Sequence, residues 1–588
     1  VGVDAWLTLL VILGVLVGLV RSNLSPAVTV FGGTVALLLL GVIDEGQAFS
    51  GFSNPAPITV AALYVLAGAV EKTGALAPLT QRTLGSRGWY RRPLLRTLLP
   101  TTAASGLLNN TPIVAMLIPQ IESWADRRGL SASRLLMPVS FAAILGGTLT
   151  LIGTSTNVVV AGQMETLGLQ PLGFFEIGAV GAPLVLIGLV YLVAMAPRLL
   201  PARRSPMREI EAEAKRFNAE MVVVEGGPVD GLTVEDAKLR SLDGVFLVAV
   251  DRGDSIVAPV RPSTVLRGGD RLRFAGPASQ MLDLQSRRGL ESAELEHVMQ
   301  VSDPAVRYFE VVVGSRSTLA GSTLADVGFR SRYQAAVVAI HRDGSLVASK
   351  LGTVPIRPGD TLIIISDAGF RNRWKDRADF LVVAEIDGTP PQASSNAVWA
   401  IGALAAVVIA AATGIVPILQ GALVAAIGLV VGGVLTPWEA RRSVDLEVIT
   451  VIASAFGIAA AVQTSGLAEV ISTGLVDALD SYGERGVLLG LVLATVLLTE
   501  MITNNAAALL MLPVATTAAT AAGMDPRGAA VAIAVAASAS FLSPIGYQTN
   551  MMVYGPGGYR FSDYARLGAP LTVLTVSVVV LLIPFLYA

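Results

Sequence analysis

One feature restricts this chain more than any other: apolar runs long enough to cross a bilayer recur in two blocks, with a polar stretch between them. A hydrocarbon core about 30 Å thick takes roughly 20 residues of helix. Runs of this kind are Ala5–Val20, Ile177–Ala196, Ala397–Ala412 with Val416–Leu435, and Leu567–Leu586. Residues 1–200 and 397–588 are both apolar, and much of the charge lies between them. Of 588 residues, 53% are hydrophobic and 15% charged, where a soluble domain has about 25% charged. These patterns specify an α-helical polytopic membrane protein. Ala5–Val20 reads as its first span and not as a leader, because no A-x-A-like site follows it and further spans do.

Composition removes several functions. Without cysteine there is no disulfide framework and no thiolate metal site. The two histidines, His297 and His341, both lie in the polar stretch, so nucleophilic catalysis in the membrane lacks its usual base. We expect no enzyme, no catalytic metal and no organic cofactor. A net charge of −2 without a long basic run gives no reason to expect nucleic acid.

The polar stretch repeats itself at a period of 90 residues. Leu247-Val248-Ala249-Val250-Asp251-Arg252 matches Val337-Val338-Ala339-Ile340-His341-Arg342. Arg267-Gly268-Gly269-Asp270-Arg271-Leu272 matches Arg357-Pro358-Gly359-Asp360-Thr361-Leu362, and Glu220-Met221-Val222-Val223 matches Glu310-Val311-Val312-Val313. Short apolar runs bounded by Gly and Asp read as strands, so two copies of one compact α+β domain are expected. No G-x-G-x-x-G follows a strand, and a Rossmann nucleotide site has no support.

The apolar blocks also echo each other. Asn109-Asn110-Thr111 begins ten residues before Pro119, and Thr503-Asn504-Asn505 begins ten before Pro513; Asn157 lies 38 past the first proline and Asn550 lies 37 past the second. Polar motifs at matched spacing in two halves are what an internally repeated transporter would carry. Arg82, Arg87, Arg91, Arg92 and Arg96 precede the first motif, and Arg127, Arg128 and Arg134 follow it. By the positive-inside rule both flanks are cytosolic, so Leu98 to about Ile121 enters the bilayer and turns back. Asp477, Asp480, Glu484 and Arg485, then Asp525 and Arg527, flank the second motif, which suits the outer side. The expected architecture is an inverted-topology repeat with two re-entrant hairpins and an inserted cytosolic tandem domain. The plainer alternative is a pair of ordinary helices joined by polar contacts.

Broken helices in a membrane expose N–H and C=O groups that lipid cannot satisfy, and they persist where they line a polar cavity. Helix N-termini favour anions; carbonyl, hydroxyl and amide oxygens suit a hard cation. Asn110 and Asn504 offer both amide ends. Gly153-Thr154-Ser155-Thr156-Asn157 and Gly546-Tyr547-Gln548-Thr549-Asn550 read as the unwound centres of two further helices, or alternatively as surface loops. Glu500 is the exceptional carboxylate beside a motif, either functional or a cap facing water. No intramembrane Lys or Arg offers itself as a counter-charge, so an anion would be held by neutral donors with bound cations nearby.

These residues resemble the divalent-anion:sodium symporter (DASS) family of the ion-transporter superfamily, which carries a Ser-Asn-Thr triad at each of two opposed hairpin tips. Here the middle Asn is kept in both tips and Ser in neither. The R-x-G-D-x-L turn resembles TrkA-C (RCK-C) domains, and paired TrkA-C inserts mark a subgroup with sulfate transporters. The resemblance implies a homodimer working as an elevator, and two sodium sites. One would use Ser105, Asn109, Asn110 and a carbonyl at Gly153, the other Thr499, Thr503, Asn504 and a carbonyl at Gly546. It implies substrate contacts from Asn109, Asn110, Thr111, Thr503, Asn504, Asn505, Thr154, Tyr547 and Gln548. Dicarboxylate carriers of the family usually have proline just before the last Asn of each half. This chain has Ser155-Thr156 and Gln548-Thr549 there, and a bulky Tyr547. A smaller pocket rich in hydroxyl and amide donors suits a tetrahedral oxyanion, so sulfate is the expected substrate.

The expected division is 1–201 and 397–588 for the membrane halves, with TrkA-C-like domains at 205–290 and 295–390. The expected setting is the cell (inner) membrane, with 205–390 cytosolic. The alternatives are a sodium-coupled dicarboxylate carrier, a cation/proton antiporter with a cytosolic gate, and a channel, for which no T-V-G-Y-G-like filter appears. The insert either senses a regulatory ligand or serves assembly alone.

Overall fold

The computed structural model describes residues 2–21, 25–75, 91–128, 130–203, 218–239, 246–252, 256–257, 260–275, 289–292, 307–314, 317–342, 345–347, 351–367, 369–374, 379–385 and 394–587. Arg82, Arg87 and His297, and the insert's 205–217, 276–288, 293–306 and 386–390, lie outside the described residues.

The first half contributes α1 (Val3–Arg21), α2 (Pro26–Leu39), α3 (Glu45–Ser53), α4 (Pro55–Lys72), α5 (Arg91–Ser105), α6 (Asn110–Arg127), α7 (Ser133–Gly146), α8 (Ser155–Thr166) and α9 (Gly178–Leu199). The insert holds β1 (Asn218–Val223), β2 (Phe246–Asp251), β3 (Ile256–Val257), β4 (Arg271–Ala275) and β5 (Leu290–Ser292), then β6 (Arg307–Val313), α10 (Phe329–Tyr333), β7 (Ala336–Arg342), β8 (Ser345–Leu346), β9 (Thr361–Ser366), α11 (Phe370–Trp374) and β10 (Phe380–Glu385). The second half follows with α12 (Ala397–Ala412), α13 (Ile418–Val431), α14 (Pro437–Ser443), α15 (Leu446–Thr464), α16 (Leu467–Leu479), α17 (Gly483–Met501), α18 (Asn504–Ala521), α19 (Pro526–Ser538), α20 (Gln548–Tyr554) and α21 (Phe561–Leu586).

The halves repeat element for element. α1 to α4 recur as α12 to α15, and α5 to α9 recur as α17 to α21. Local chemistry repeats with them. Asp44 and Thr436 each begin α3 or its counterpart α14 with a reciprocal capping box, to Gln47 and Glu439, which satisfies two orphan N–H groups at once. Asn54 and Asp445 then cap α4 and α15. Among the described residues, four helical stretches are long and apolar enough to cross a membrane: Glu45–Lys72, Gly178–Leu199, Leu446–Thr464 and Phe561–Leu586. They are two repeat-related pairs. The halves exchange partners reciprocally, α2 packing on α15 and α13 on α4. Small residues permit this approach: a Cβ on Gly457 of α15 would stand 2.5 Å from Thr34 Cγ2 of α2.

The insert's duplication is equally plain. One antiparallel sheet runs β3-β2-β4-β1-β5 and the other β8-β7-β9-β6-β10, the same order with each strand replaced by its counterpart. The repeated R-x-G-D turn has a structural reason. Gly269 and Gly359 both hold φ of +84°, a conformation that only glycine adopts readily. The following Asp accepts the N–H of the turn's Arg, at 2.9 Å for Asp270 and 2.8 Å for Asp360. The arginine that ends or follows the neighbouring strand then clamps that carboxylate, Arg252 on Asp270 at 3.1 Å and Arg342 on Asp360 at 2.7 Å. The second sheet also touches the membrane halves. Val312 and Leu381 join their apolar core, and a Cβ on Gly555, just after α20, would meet Thr361 Oγ1 at 1.8 Å.

Candidate functional site

Each half breaks its helices twice, at the expected polar motifs. Residues 106–109 separate α5 from α6, and 502–503 separate α17 from α18. Segments 147–154 and 539–547 separate α7 from α8 and α19 from α20. These breaks are braced identically. Asn157 Nδ2 donates to Gly147 O and Thr150 O, both at 2.9 Å, over 10 and 7 residues. Asn550 Nδ2 donates to Ser540 O at 2.9 Å and Ser543 O at 3.3 Å, over the same 10 and 7 residues. The last Asn of each half therefore holds an unwound segment closed on itself.

The hairpin tips repeat a second arrangement. Ser105 Oγ lies against Asn110 Oδ1, five residues on, and donates to Ala143 O at 2.6 Å, 38 residues on. Thr499 Oγ1 lies 3.0 Å from Asn504 Oδ1 and 2.6 Å from Ala537 O, again five and 38 residues on. A hydroxyl has one hydrogen, so it cannot serve an amide oxygen and a carbonyl together. Each pocket thus has more acceptors than donors. At Asn110 the amide has a second seating, with its oxygen on the Tyr547 hydroxyl and its nitrogen 3.2 Å from Ala143 O and 3.3 Å from Gly153 O. An excess of oxygens relieved only by turning an amide is a donor set that fits a hard cation.

The halves meet through these same parts. The Asn110 amide and Tyr547 hydroxyl are 2.5 Å apart, and Thr111 Oγ1 lies 3.4 Å from Gln548 Oε1. Thr154 Oγ1 is 3.5 Å from the Tyr547 hydroxyl. In the mirrored contact, Ser155 and Thr156 donate to Asn505 Oδ1 at 3.2 and 3.1 Å. Each hairpin tip therefore touches the other half where its unwound segment meets the following helix. Deeper in, Ser140 Oγ sits 2.8 Å from Thr549 Oγ1 and 2.7 Å from Asn550 Oδ1.

A cavity of about 750 Å³ is lined by Asn109, Thr111, Thr154, Thr503, Asn504, Asn505, Tyr547 and Gln548, with Ser155, Thr156 and Gly546. The N-termini of α6, α8 and α18 open onto it. Thr154 and Tyr547, the extended residues before α8 and α20, make no side-chain cap, which leaves their hydroxyls to face the cavity. Thr503 instead caps α18, accepting from Ala506 N at 3.4 Å. Asn109 lines the cavity without taking part in the Ser105–Asn110 cluster. Sequence reading missed several members. Ser140 carries no motif, the Ala143 and Ala537 carbonyls have no side-chain signature, and Asp445, Glu447 and the insert residues Ser317, Ala320 and Leu381 line the same cavity from afar in sequence.

Repeated membrane halves whose broken helices close around one polar cavity define the architecture of a multi-pass membrane transporter. The chain belongs to the citrate transporter (CitMHS) family, within the ion-transporter superfamily, whose model matches residues 9–536 and 482–588. It is 34% identical to a Chlamydomonas reinhardtii protein named as a sulfur deprivation response regulator, over 94% of this chain and 97% of that one. It is 34% identical to the uncharacterized transporter sll0640 of Synechocystis, over 99% and 97%. Sodium/sulfate cotransporter 1 of C. reinhardtii is 23% identical over 90% of this chain and 84% of its own length. Among solved structures, the Alcanivorax borkumensis YdaH transporter aligns over 93% of this chain and 87% of its own at 12% identity, with a TM-score of 0.42.

Proposed function

We propose that this chain is a sodium-coupled symporter of a divalent oxyanion, sulfate foremost. The observation that carries the reading is the convergence of three helix N-termini, α6, α8 and α18, with the Thr154, Tyr547 and Gln548 side chains on one cavity. An anion beside a helix N-terminus gains about 0.3–1 kcal/mol, and more where water is excluded, so three of them with neutral donors hold an oxyanion without a Lys or Arg. Asn109, Asn110, Thr111, Thr503, Asn504 and Asn505 supply the remaining contacts. Relatives named sodium/sulfate cotransporters support the substrate and the ion.

The coupling ions sit beside that anion. One pocket uses Ser105, Asn110, the Ala143 carbonyl and the Gly153 carbonyl; the other uses Thr499, Asn504, the Ala537 carbonyl and the segment at Gly546. With a cation bound, Asn110 turns its oxygen toward the ion and its nitrogen donates to Tyr547, which faces the anion. One amide then links the two ligands. Asn109 and Thr503 complete the tips.

The halves 1–201 and 397–588 form an inverted repeat that moves as an elevator in a homodimer. The domains 205–290 and 295–390 are TrkA-C-like and cytosolic, in a chain of the cell (inner) membrane, with a regulatory ligand as their expected partner. Ser317, Ala320 and Leu381 of the second domain line the cavity, so in this reading the described state opens to the cytosol. Proteoliposomes given an inward sodium gradient are expected to accumulate labelled sulfate, with excess unlabelled sulfate competing better than succinate or citrate. Accumulation of a dicarboxylate but not sulfate would reject the substrate.

A further inference from the structure

The two cation pockets repeat each other closely, and two of the differences between them add oxygen to the second. Ser105 is followed by Gly106, whereas its counterpart Thr499 is followed by Glu500. The Asn157 brace lands on Gly147, whereas the Asn550 brace lands on Ser540. In the first half the open space at Gly106 faces Leu149. In the second, Glu500 Oε1 accepts the N–H of Leu542 at 2.8 Å.

The other carboxylate oxygen points elsewhere. Glu500 Oε2 is buried, as is Ser540 Oγ on a residue with 0% exposure, and the Ser540 and Ser543 hydroxyls both face the carboxylate. Glu500 Oε2 and Ser540 Oγ converge on Gly546. A Cβ built there would stand 2.1 Å from Ser540 Oγ, 2.8 Å from Glu500 Oε2 and 3.2 Å from the Thr499 carbonyl oxygen. Only a residue without a side chain leaves this space to the three oxygens. Among these three oxygens the only hydrogen is that of the Ser540 hydroxyl, and a cation is the simplest partner that all three accept. The surrounding elements do not neutralise the charge. α18 carries no ionisable residue, and the single charge of α19, Arg527, lies in its first turn and pairs with Glu176 at 2.5 Å. Asp445 and Glu447, at the start of α15, line the same cavity and add negative charge.

We propose that Glu500, with Ser540 Oγ and the Thr499 carbonyl, gives the second pocket a charged coordinating group for a hard monovalent cation. The pockets are then unequal. The first holds its ion with neutral oxygens, whereas the second holds one by charge, before any anion arrives. This rests on the reading that the pockets hold the coupling ion.

The test is thermal unfolding of the purified full-length chain in sulfate-free buffer, with sodium chloride replacing choline chloride at constant ionic strength. Wild type is expected to gain stability with a saturable sodium midpoint. Glu500→Gln is expected to raise that midpoint at least 10-fold, and Ser540→Ala, which keeps the carboxylate, two- to fivefold. A Glu500→Gln midpoint equal to wild type overturns this proposal alone. Where Glu500→Gln does not yield folded protein, an unchanged Ser540→Ala midpoint overturns it. A wild-type chain that sodium does not stabilise overturns the coupling reading and this proposal together.

Discussion

The side-chain amide of Asn110 and the hydroxyl of Tyr547 lie 2.5 Å apart although 437 positions separate them in the chain. Asn110 opens α6 at the first hairpin tip, and Tyr547 ends the unwound segment of the other half. The contact joins a residue of the proposed cation pocket to one of the proposed anion pocket.

Removing the Tyr547 hydroxyl should therefore weaken both ligands. A hydrogen bond of this kind is worth about 0.5–1.5 kcal/mol, and a partner left unsatisfied costs about 1–3 kcal/mol. Tyr547→Phe should raise the KM for sulfate about tenfold and reduce the response to sodium, with the folded yield unchanged. Initial uptake rates over a grid of both concentrations check this.

The brace residues should behave differently from the tip residues. Asn157 and Asn550 are fully buried and bond backbone carbonyls of their own half. Asn157→Ala and Asn550→Ala should each cost about 1–3 kcal/mol of stability, read as a lower unfolding temperature in detergent at saturating sodium. Thr111→Ala, whose hydroxyl faces Gln548 at 3.4 Å, should leave that temperature within a degree or two.

In the insert, burial pushes the His341 imidazole down to about 4. The unfolded chain binds a proton near pH 6.5, whereas the folded domain stays neutral until about pH 4. Stability from this group is thus fully present above pH 6.5 and is lost as pH falls toward 4, by about 3 kcal/mol in all. His341→Gln should flatten the acid side of the insert's stability profile, followed by proteolysis of the insert between pH 4 and 7.

The insert's seat on the membrane halves includes one very close approach. A Cβ on Gly555 would stand 1.8 Å from Thr361 Oγ1, so Gly555→Val must push the second sheet away from α20. The insert should then become more sensitive to protease, and Thr361→Ala in the same chain should partly restore protection.

Much of this arrangement is legible in the sequence, for physical reasons. Polar triplets inside apolar runs mark helix breaks because lipid gives a broken backbone nothing to bond. The spacing from Asn109 to Pro119 and from Thr503 to Pro513 therefore located both tips. The insert's period of 90 reappears as two sheets of one strand order. What stayed hidden was of two kinds. The Ala143 and Ala537 oxygens are backbone atoms that any residue supplies. The pairing of Asn505 with Ser155 and Thr156, or Ser140 with Thr549, depends on how the halves dock, which no local pattern records. The lining of the cavity by Ser317, Ala320 and Leu381 is of this second kind.

The meeting of the two halves is tested most directly by a cross-link. Because the chain has no cysteine, Ser140→Cys with Thr549→Cys places the only thiols where two side-chain oxygens now lie 2.8 Å apart. A protease site in the insert separates the halves after oxidation in native membranes. The account expects the halves to migrate together without reductant and apart with it. Halves that separate without reductant, with both thiols still titratable after denaturation, would contradict it.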